Sequence, residues 1–387
     1  MPIPTYPAPR RRGDDGDSGG SGDFDGSDDF EIAYADPGGR RGGDPDSDDP
    51  DELDDPDDLV DLDNLIELDD LADLDEQIEA LLANPPTAPA TGSLAGLGDG
   101  AASDEQLLAF SDLSLAALRD FAEGWVGLPA EARRGLVTAM DELSADRIEA
   151  DFRRVYRLAM HDEDAGVRQL AVAALAGEDA PGLVRPLLAL LADDASVDVR
   201  AEAARTLGPI AYGAATEEYE DDLAAEVRAG LMAAAHDDDP LVRRVALESA
   251  AVFGGEEIAD LIRDAYDTGE HDAIGSALYA MGRTHDRGWL PIVLEELASD
   301  DAQLRFEAAR AAGALGERES VGDLLAAMNG EEDVEVRHAI IAALGEIGGK
   351  AAQRALTTLQ AHAEEADVEA IEDAIEEAAF DLQVFGR

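Results

Sequence analysis

The stretch that decides the fold is Asp333-Val-Glu-Val-Arg337-His-Ala-Ile-Ile-Ala-Ala-Leu-Gly345-Glu-Ile-Gly348. The same pattern stands earlier in the chain as Asp301-Ala-Gln-Leu-Arg305-Phe-Glu-Ala-Ala-Arg-Ala-Ala-Gly313-Ala-Leu-Gly316. In both copies Asp and Arg are four residues apart and an alanine-rich apolar stretch follows. Arg305 and Arg337 lie 32 residues apart. A period of this length is the sequence signature of a helical solenoid, in which each repeat buries its apolar face only against its neighbours.

Further copies extend the pattern towards the N-terminus, with arginines at Arg168, Arg200 and Arg243. The longer interval from Arg200 to Arg243 predicts an insertion around residues 212–222, and the double interval from Arg243 to Arg305 predicts a degenerate copy at Ala273-Ile274. We expect each unit to be two helices, the second beginning near an aspartate that caps its N-terminus. Glycines are expected at helix ends, and these are Gly208, Gly254, Gly316 and Gly348.

Residues 129–363 resemble HEAT repeats in the short form known as PBS-lyase HEAT-like repeats. The pattern that carries the resemblance is Asp-x-x-Val-Arg-x-x-Ala-x-x-Ala-Leu-Gly, as in Asp333 to Gly345. The resemblance implies an all-α fold, a right-handed α-α superhelix of the armadillo-like kind, with about six to eight helix pairs. It also implies a structural ladder of Asp and Arg side chains between adjacent repeats. The residues assigned to that ladder are Asp164, Arg168, Arg200, Asp239, Arg243, Asp301, Arg305, Asp333 and Arg337.

The resemblance favours a non-enzymatic protein–protein interaction scaffold that binds a partner along the concave groove formed by the second helices. Two places break the repeat and are the candidate partner contacts. Residues 282–289 gather Arg283, His285, Arg287 and Trp289 at one turn, and the insertion carries Tyr212 and Tyr219. Arginine and large aromatic residues are typical interface anchors. The other interpretation of Trp289 is that it opens the next helix and packs inward.

The alternative function is a metal- or cofactor-dependent enzyme, hydroxylase-like or bilin-lyase-like. Deoxyhypusine hydroxylase, a HEAT-like family, binds two irons through His-Glu pairs on symmetric repeats. Here His161 and His236 occupy equivalent repeat positions, but each is followed by Asp, and no His-x-x-x-His spacing supports a metal site. We therefore expect no catalytic residue, no metal and no cofactor.

The composition excludes several classes of site and partner. A net charge of −60 opposes binding to nucleic acid and to anionic membranes. The absence of cysteine excludes disulfides and thiolate chemistry. The start of the chain has no apolar signal region, and no long apolar run occurs, so a cytoplasmic protein is predicted.

Residues 1–104 are predicted to be a disordered acidic arm, and residues 105–387 the repeat solenoid. Within the arm, leucines recur at helical spacing from Leu59 to Leu82, which predicts an amphipathic helix at 59–83. That helix has two interpretations: it docks on its own solenoid, or it enters the groove of a partner.

Overall fold

The computed structural model describes residues 102–178, 181–216, 218–363 and 365–385. Over these ranges the chain is helical and contains no strand. The prediction of an all-α solenoid is therefore confirmed. The predicted disordered arm, apart from its last three residues, and the predicted helix at 59–83 lie outside the described residues.

The helices follow one another as successive antiparallel-type pairs after a short opening helix. Their bounds are α1 Asp104–Leu108, α2 Leu115–Val126, α3 Ala130–Asp146, α4 Arg153–Ala159, α5 Ala165–Ala174, α6 Pro181–Asp193, α7 Val197–Ala215, α8 Asp221–Ala234, α9 Pro240–Ala250, α10 Glu256–Asp267, α11 His271–Arg283, α12 Leu290–Glu296, α13 Ala302–Leu315, α14 Val321–Met328, α15 Val334–Ile347, α16 Gly349–Gln360 and α17 Val368–Phe385. From α2 onward the even-numbered helices are the first, and the odd-numbered helices the second, member of each pair.

One apolar core runs through all the pairs. Leu187 of α6, Leu324 of α14 and Ile340 of α15 are completely buried, and the buried cluster extends from the first described helix to the last. Burying a leucine contributes about 1.5–3 kcal/mol, which exceeds what an exposed ion pair contributes. Packing between helices is thus the main source of stability of the array.

Small residues let successive second helices approach closely. A Cβ atom on Gly313 of α13 would lie 2.9 Å from the Cα of Ala343 in α15, and one on Gly345 would lie 3.1 Å from the Cα of Ala374 in α17. Gly282 of α11 meets Ala311 of α13 in the same way. Glycine at this repeated position is therefore required by the backbone of the next repeat.

The glycines predicted at helix ends are mostly found there. Gly316 and Gly348 end α13 and α15 with φ of 67° and 60°, and Gly254 has φ of 57° after a short 3₁₀ turn. The prediction for Gly208 was wrong, because this residue lies inside α7. There its missing side chain makes room for Ser249 of α9, whose Oγ would lie 3.2 Å from a Cβ atom.

The aspartates of the repeated pattern begin the second helices. Asp164, Asp301 and Asp333 each accept a hydrogen bond from the backbone N–H three residues later, and Asp239 accepts one from Leu241. This capping was predicted from the sequence. Such a cap is worth about 0.5–2 kcal/mol.

The two predicted irregularities also have structural counterparts. The insertion lengthens α7 to 19 residues. The degenerate copy is α11, a second helix in which Ile274 stands at the position that arginine holds elsewhere.

Candidate interaction surfaces

A ladder of arginine–carboxylate pairs joins neighbouring repeats. Arg168 of α5 donates to Asp194, in the turn between α6 and α7, with Nε–Oδ2 and Nη2–Oδ1 distances of 2.8 Å each. Its Nη1 donates to the carbonyl of Asp162 at 2.8 Å. The two side chains are 15% and 5% exposed, so this bidentate ion pair is largely shielded from water.

Three further pairs join neighbouring repeats in the same way, with Nε and Nη2 both donating from Arg200 and Arg305 and Nε donating to both oxygens of Asp367 from Arg337. They are Arg200–Asp237 at 2.9 Å, Arg305–Glu331 at 2.7 Å and Arg337–Asp367 at 3.0 Å. Hydrogen bonds from Arg200 and Arg305 hold the pKa values of Asp237 and Glu331 below their ordinary values, although burial of the carboxyl groups acts in the opposite direction. These two pairs therefore link one repeat to the next through a carboxylate whose ionised form is favoured.

The acids in the ladder differ from those that the sequence pattern indicated. Asp164, Asp239, Asp301 and Asp333 cap their own helices and are not the partners of the ladder arginines. For Arg168, Arg200 and Arg305 the partner is an acid two residues before the first residue of the next pattern, as Asp237 is before Asp239. For Arg337 it is Asp367, which directly precedes α17. Asp237 both accepts from Arg200 and receives the backbone N–H of Asp239 at 2.8 Å, so it fixes the turn as well as the interface.

The ladder begins earlier than the sequence pattern predicted, at Arg133 of α3. Its Nη2 donates to Asp162 Oδ1 at 2.9 Å, and its Nη1 donates to the carbonyl of Leu128 at 2.7 Å. The buried Trp125 donates its indole N–H to the other oxygen of Asp162 at 2.7 Å. The signal was present in the sequence, because Pro129 precedes Arg133 by the same four residues that separate Asp from Arg elsewhere.

The ladder is interrupted in the middle of the array. Among the described residues, Arg243 donates to carbonyls of its own turn alone, those of Asp237 and Asp238, and the next repeat has Ile274 instead of arginine. Other polar contacts occupy these two interfaces. Arg244 lies 3.3 Å from Asp272, and His271 Nε2 lies 3.1 Å from Asp301.

Aromatic rings and arginines face one another on the second helices near this interruption. The guanidinium of Arg310 lies 5.3 Å from the ring centre of Tyr279 and 5.6 Å from that of Phe306. Arg283 lies 5.5 Å from the ring of Tyr212, which stands on the lengthened end of α7 and is 46% exposed. We call these five residues the central second-helix surface. It unites two of the predicted contact residues, Tyr212 and Arg283.

The other predicted contact residues lie elsewhere. Trp289 is buried, with Arg263 of α10 at 5.3 Å from its ring, so it packs inward as the second interpretation had it. His285 has φ of 51° and its Nδ1 lies 2.9 Å from the carbonyl oxygen of Ala314. Arg287 is exposed beside Glu317, at 3.8 Å. At the turn 282–289, therefore, Trp289 packs inward and His285 contacts the next repeat, whereas Arg283 is half-buried and Arg287 is exposed.

A groove runs along the outer side of α6. Its volume is about 1110 Å³, and it is bordered by the end of α4 and by the residues that precede and begin α8. Buried or half-buried side chains form its floor, namely Met160, His161, Pro186, Leu190, Tyr219 and Leu223. Exposed carboxylates form its rim, namely Asp193, Glu218, Glu220 and Asp222. We call it the α6 groove, and it contains Tyr219, the remaining predicted contact residue.

The two histidines of the metal hypothesis differ in burial and in position. His161 is half-buried in the α6 groove, whereas His236 is exposed at the end of α8. Among the residues that the structure describes, no three His, Cys, Asp or Glu side chains are grouped so as to hold a metal ion. No helix within the described ranges combines the length and the apolar character that crossing a bilayer requires.

Comparison with known protein families identifies the repeats. The family model of HEAT repeats matches residues 184–282 and 290–379. These two stretches of the chain are HEAT repeats. The prediction of HEAT repeats is thus confirmed, while a search of curated protein sequences finds no match.

Several solved structures are similar to this HEAT-repeat chain. Escherichia coli YibA is 16% identical, with 76% of this chain and 99% of that chain covered and a TM-score of 0.40. The CpcE–CpcF complex of phycocyanin lyase from Nostoc sp. is 19% identical, with 58% and 94% covered and a TM-score of 0.41. Human deoxyhypusine hydroxylase in complex with glycerol is 17% identical, with 82% and 99% covered and a TM-score of 0.31.

Proposed function

We propose that this HEAT-repeat chain is a non-enzymatic protein–protein interaction scaffold whose partner binds the central second-helix surface. The observation that carries the proposal is the stacking of Arg310 on Tyr279 and Phe306 and of Arg283 on Tyr212. Tyrosine and arginine are among the residue types that dominate binding energy at protein interfaces. The stacked pairs already hold these side chains in fixed positions, so the side chains lose less conformational entropy when a partner binds.

The position of this surface in the array supports the same proposal. The ladder pairs that hold neighbouring repeats are absent from the interfaces on either side of α11, so regular repeat contacts do not account for the aromatic residues there. A cation–π contact contributes about 0.5–1 kcal/mol when exposed and about 2 kcal/mol when desolvated. A partner that covers Arg310 and its two rings would therefore gain from contacts that the free protein holds only weakly.

The experiment is quantitative affinity capture from native lysate with the full chain, comparing wild type with a Tyr279→Ala/Arg310→Ala variant. Removal of two central anchors is expected to cost at least about 2 kcal/mol, or roughly a thirtyfold loss in affinity. The matched control is Arg263→Ala. This change also removes an arginine from an aromatic ring, that of Trp289, but on a first helix.

The expected result is one or more proteins recovered by wild type and by the control and lost with the double variant. Recovery that is the same for all three chains contradicts the proposed site. If no protein is retained by the wild-type chain above an unrelated acidic protein of equal charge, the scaffold function itself is contradicted.

A further inference from the structure

The rim of the α6 groove carries negative charge that no cation of the described repeats compensates. Arg185, an arginine that also lines the groove, is already engaged by Glu226 through two hydrogen bonds of 3.1 and 3.0 Å. The exposed rim carboxylates that form no ion pair within the described part of the chain are Asp193, Glu218, Glu220 and Asp222. The groove therefore presents uncompensated negative charge around an apolar floor.

The walls of the groove are held in place by the protein's own contacts. Arg185 of α6 donates to both carboxylate oxygens of Glu226 on α8, so the two helices that border the groove are joined. Pro186 has no backbone N–H and leaves the carbonyl of Gly182 without its usual helical donor. That carbonyl accepts from Nη1 of the buried Arg157 at 3.5 Å. Binding in a groove built from fixed elements costs less ordering entropy.

The insertion that breaks the repeat period supplies one side of the groove. Glu218 and Tyr219 lie between α7 and α8, where the backbone N–H of Glu218 donates to the carbonyl of Gly213 at 3.0 Å. A Cβ atom on Gly213 would lie 2.7 Å from Cε2 of Tyr219, so the tyrosine ring packs directly against α7. Insertions in repeat proteins map to loops on one face, which is often the binding face. The groove thus lies where the array departs from its regular repeat.

The dimensions of the groove fit an extended peptide. Its volume of about 1110 Å³ exceeds the range of about 300–1,000 Å³ typical of small-ligand pockets. Lining residues extend from Pro181 to Asp194, so the groove follows the whole of α6, a length of about 20 Å at 1.5 Å per residue. An extended chain rises about 3.1–3.4 Å per residue, so six or seven residues would fill it.

We infer that the α6 groove binds an extended segment of a partner protein, about six or seven residues long, in which arginine or lysine residues flank apolar residues. The apolar side chains lie on the floor against Leu190, Tyr219 and Leu223, and the cationic groups face the carboxylates of the rim. Arginine forms paired hydrogen bonds with carboxylates, and the stems of Arg and Lys cover apolar surface. The inference goes beyond the proposed function, since it concerns a different surface and its own class of partner.

The test begins with an array of synthetic heptapeptides to which the fluorescently labelled full chain is applied. The first class of peptide combines three arginines with four residues drawn from Leu, Val, Tyr and Pro. The second class has Gln in place of the arginines, and the third has Ser in place of the apolar residues. Because rim and floor both contribute, the first class should retain the chain at least about tenfold more strongly than either of the others.

Charge variants then locate the binding site. Peptides of the first class that bind best are titrated with each chain, and fluorescence anisotropy gives the dissociation constant. Loss of three rim carboxylates should weaken binding about tenfold, and a matched loss of charge from α10 should leave it unchanged. The rim variant is Asp193→Asn/Glu220→Gln/Asp222→Asn. The control variant, which replaces exposed acids of α10, is Glu256→Gln/Glu257→Gln/Asp264→Asn.

Floor variants test the apolar contribution separately. Leu190→Ser on α6 should weaken binding of the same peptides about tenfold, because a half-buried leucine no longer covers their apolar side chains. Leu223→Ser makes the corresponding change on α8. Melting curves followed by circular dichroism show which of the two variants keeps the fold, and the rim variant, whose changed side chains are exposed, provides a result that does not depend on either.

Retention of the second or third class as strongly as the first overturns the inference, and so does the absence of retention of the first class. An equal loss of affinity in the rim and control variants also overturns it, because the peptide is then attracted by the net charge of −60 alone. The Tyr279→Ala/Arg310→Ala variant should bind these peptides like wild type. Failure of this inference and failure of the proposed function are therefore distinguishable.

Discussion

The shielded pair between Arg168 and Asp194 should be a large single contribution to coupling between repeats, and replacing Arg168 by Met tests this. Methionine keeps the aliphatic length of the side chain but removes both hydrogen bonds to Asp194 and the one to the carbonyl of Asp162. Asp194 then keeps the backbone N–H of Ser196, at 2.8 Å, and loses its cation. The variant therefore leaves a nearly buried carboxylate without its hydrogen-bonded cation, and Arg200 is the remaining positive charge nearby.

The magnitude follows from the exposure of the two side chains. Breaking a fully buried pair by removing one partner costs about 3–5 kcal/mol, and an exposed pair contributes about 0.2–1 kcal/mol. The side chains of Arg168 and Asp194 are 15% and 5% exposed, so the pair lies nearer the buried limit. We expect Arg168→Met to lower the free energy of unfolding by about 2–4 kcal/mol.

Arg243 supplies the matched control within the same chain. It occupies the equivalent repeat position and donates to two carbonyls of its own turn, but no carboxylate in the described part of the next repeat accepts from it. Arg243→Met should therefore cost less than about 1 kcal/mol. The comparison isolates the contact between repeats from the contact within the turn.

The measurement is urea unfolding of the full chain in a Trp289→Phe background, in which the fluorescence of Trp125 reports on the first repeats. A double-mutant cycle with Asp194→Asn should give a coupling energy of about 2 kcal/mol between the two side chains. A cost for Arg168→Met within about 0.5 kcal/mol of that for Arg243→Met, or a coupling energy near zero, would refute the reasoning.

Three further predictions concern other features of the array. Gly313→Ala should lower the free energy of unfolding in urea by about 1–3 kcal/mol, because the new Cβ atom would lie 2.9 Å from a Cα atom of α15. In the control Gly135→Ala on α3, the new Cβ atom meets nothing within 4 Å, so this variant should be stabilised by up to about 1 kcal/mol. Arg200 lowers the pKa of Asp237, so this pair stabilises the fold above the ordinary carboxyl pKa, and the stabilisation is lost as the pH falls through the lowered pKa. The Arg200→Met variant should therefore lose less of its stability than the wild type between about pH 5 and 2. Acid titrations followed by circular dichroism measure this difference. Burial raises the pKa of Glu307, so its ionisation costs stability as the pH rises through that pKa; Glu307→Gln should raise the melting temperature at pH 7 and have no such effect near pH 4.

The parts of the fold that follow from local chemistry were predictable from the sequence. Asp301 and Asp333 begin helices because a carboxylate before a helix accepts the free N–H groups of its first turn, and that requires no knowledge of the neighbouring repeat. Gly316 ends α13 because left-handed backbone excludes most other residues. The 32-residue period then fixed the stacking, since each pair must bury its apolar face against another.

Contacts between repeats were harder to predict from the sequence. The spacing of Asp333 and Arg337 indicated a pair of residues in one pattern, yet the capping aspartate is committed to its own helix and Arg337 turns to Asp367 of the next repeat. The first pair of the ladder was not predicted, because Pro129 stands in place of the aspartate before Arg133. Gly208 looked like a helix end and instead accommodates a neighbouring helix. For the partner of Arg337 and for Gly208, the deciding atom belongs to a different repeat, which a pattern within one repeat does not contain.

The interrupted ladder explains why the central surface, rather than either end, is the one to mutate first. On both sides of the interruption, shielded pairs such as Arg200–Asp237 and Arg305–Glu331 couple neighbouring repeats. Between them, the ion pairs that join neighbouring repeats within the described residues are Arg244–Asp272 and His271–Asp301, in which both side chains are about a quarter to two-thirds exposed. Exposed pairs of this kind contribute about 0.2–1 kcal/mol. Neutral donors also bond to carboxylates there, Ser276 to Glu248 and Tyr266 to Glu296. The proposed partner would thus bind where no shielded arginine–carboxylate pair joins the described repeats, and its contacts with α11 and α13 would supply the coupling that the missing arginine does not.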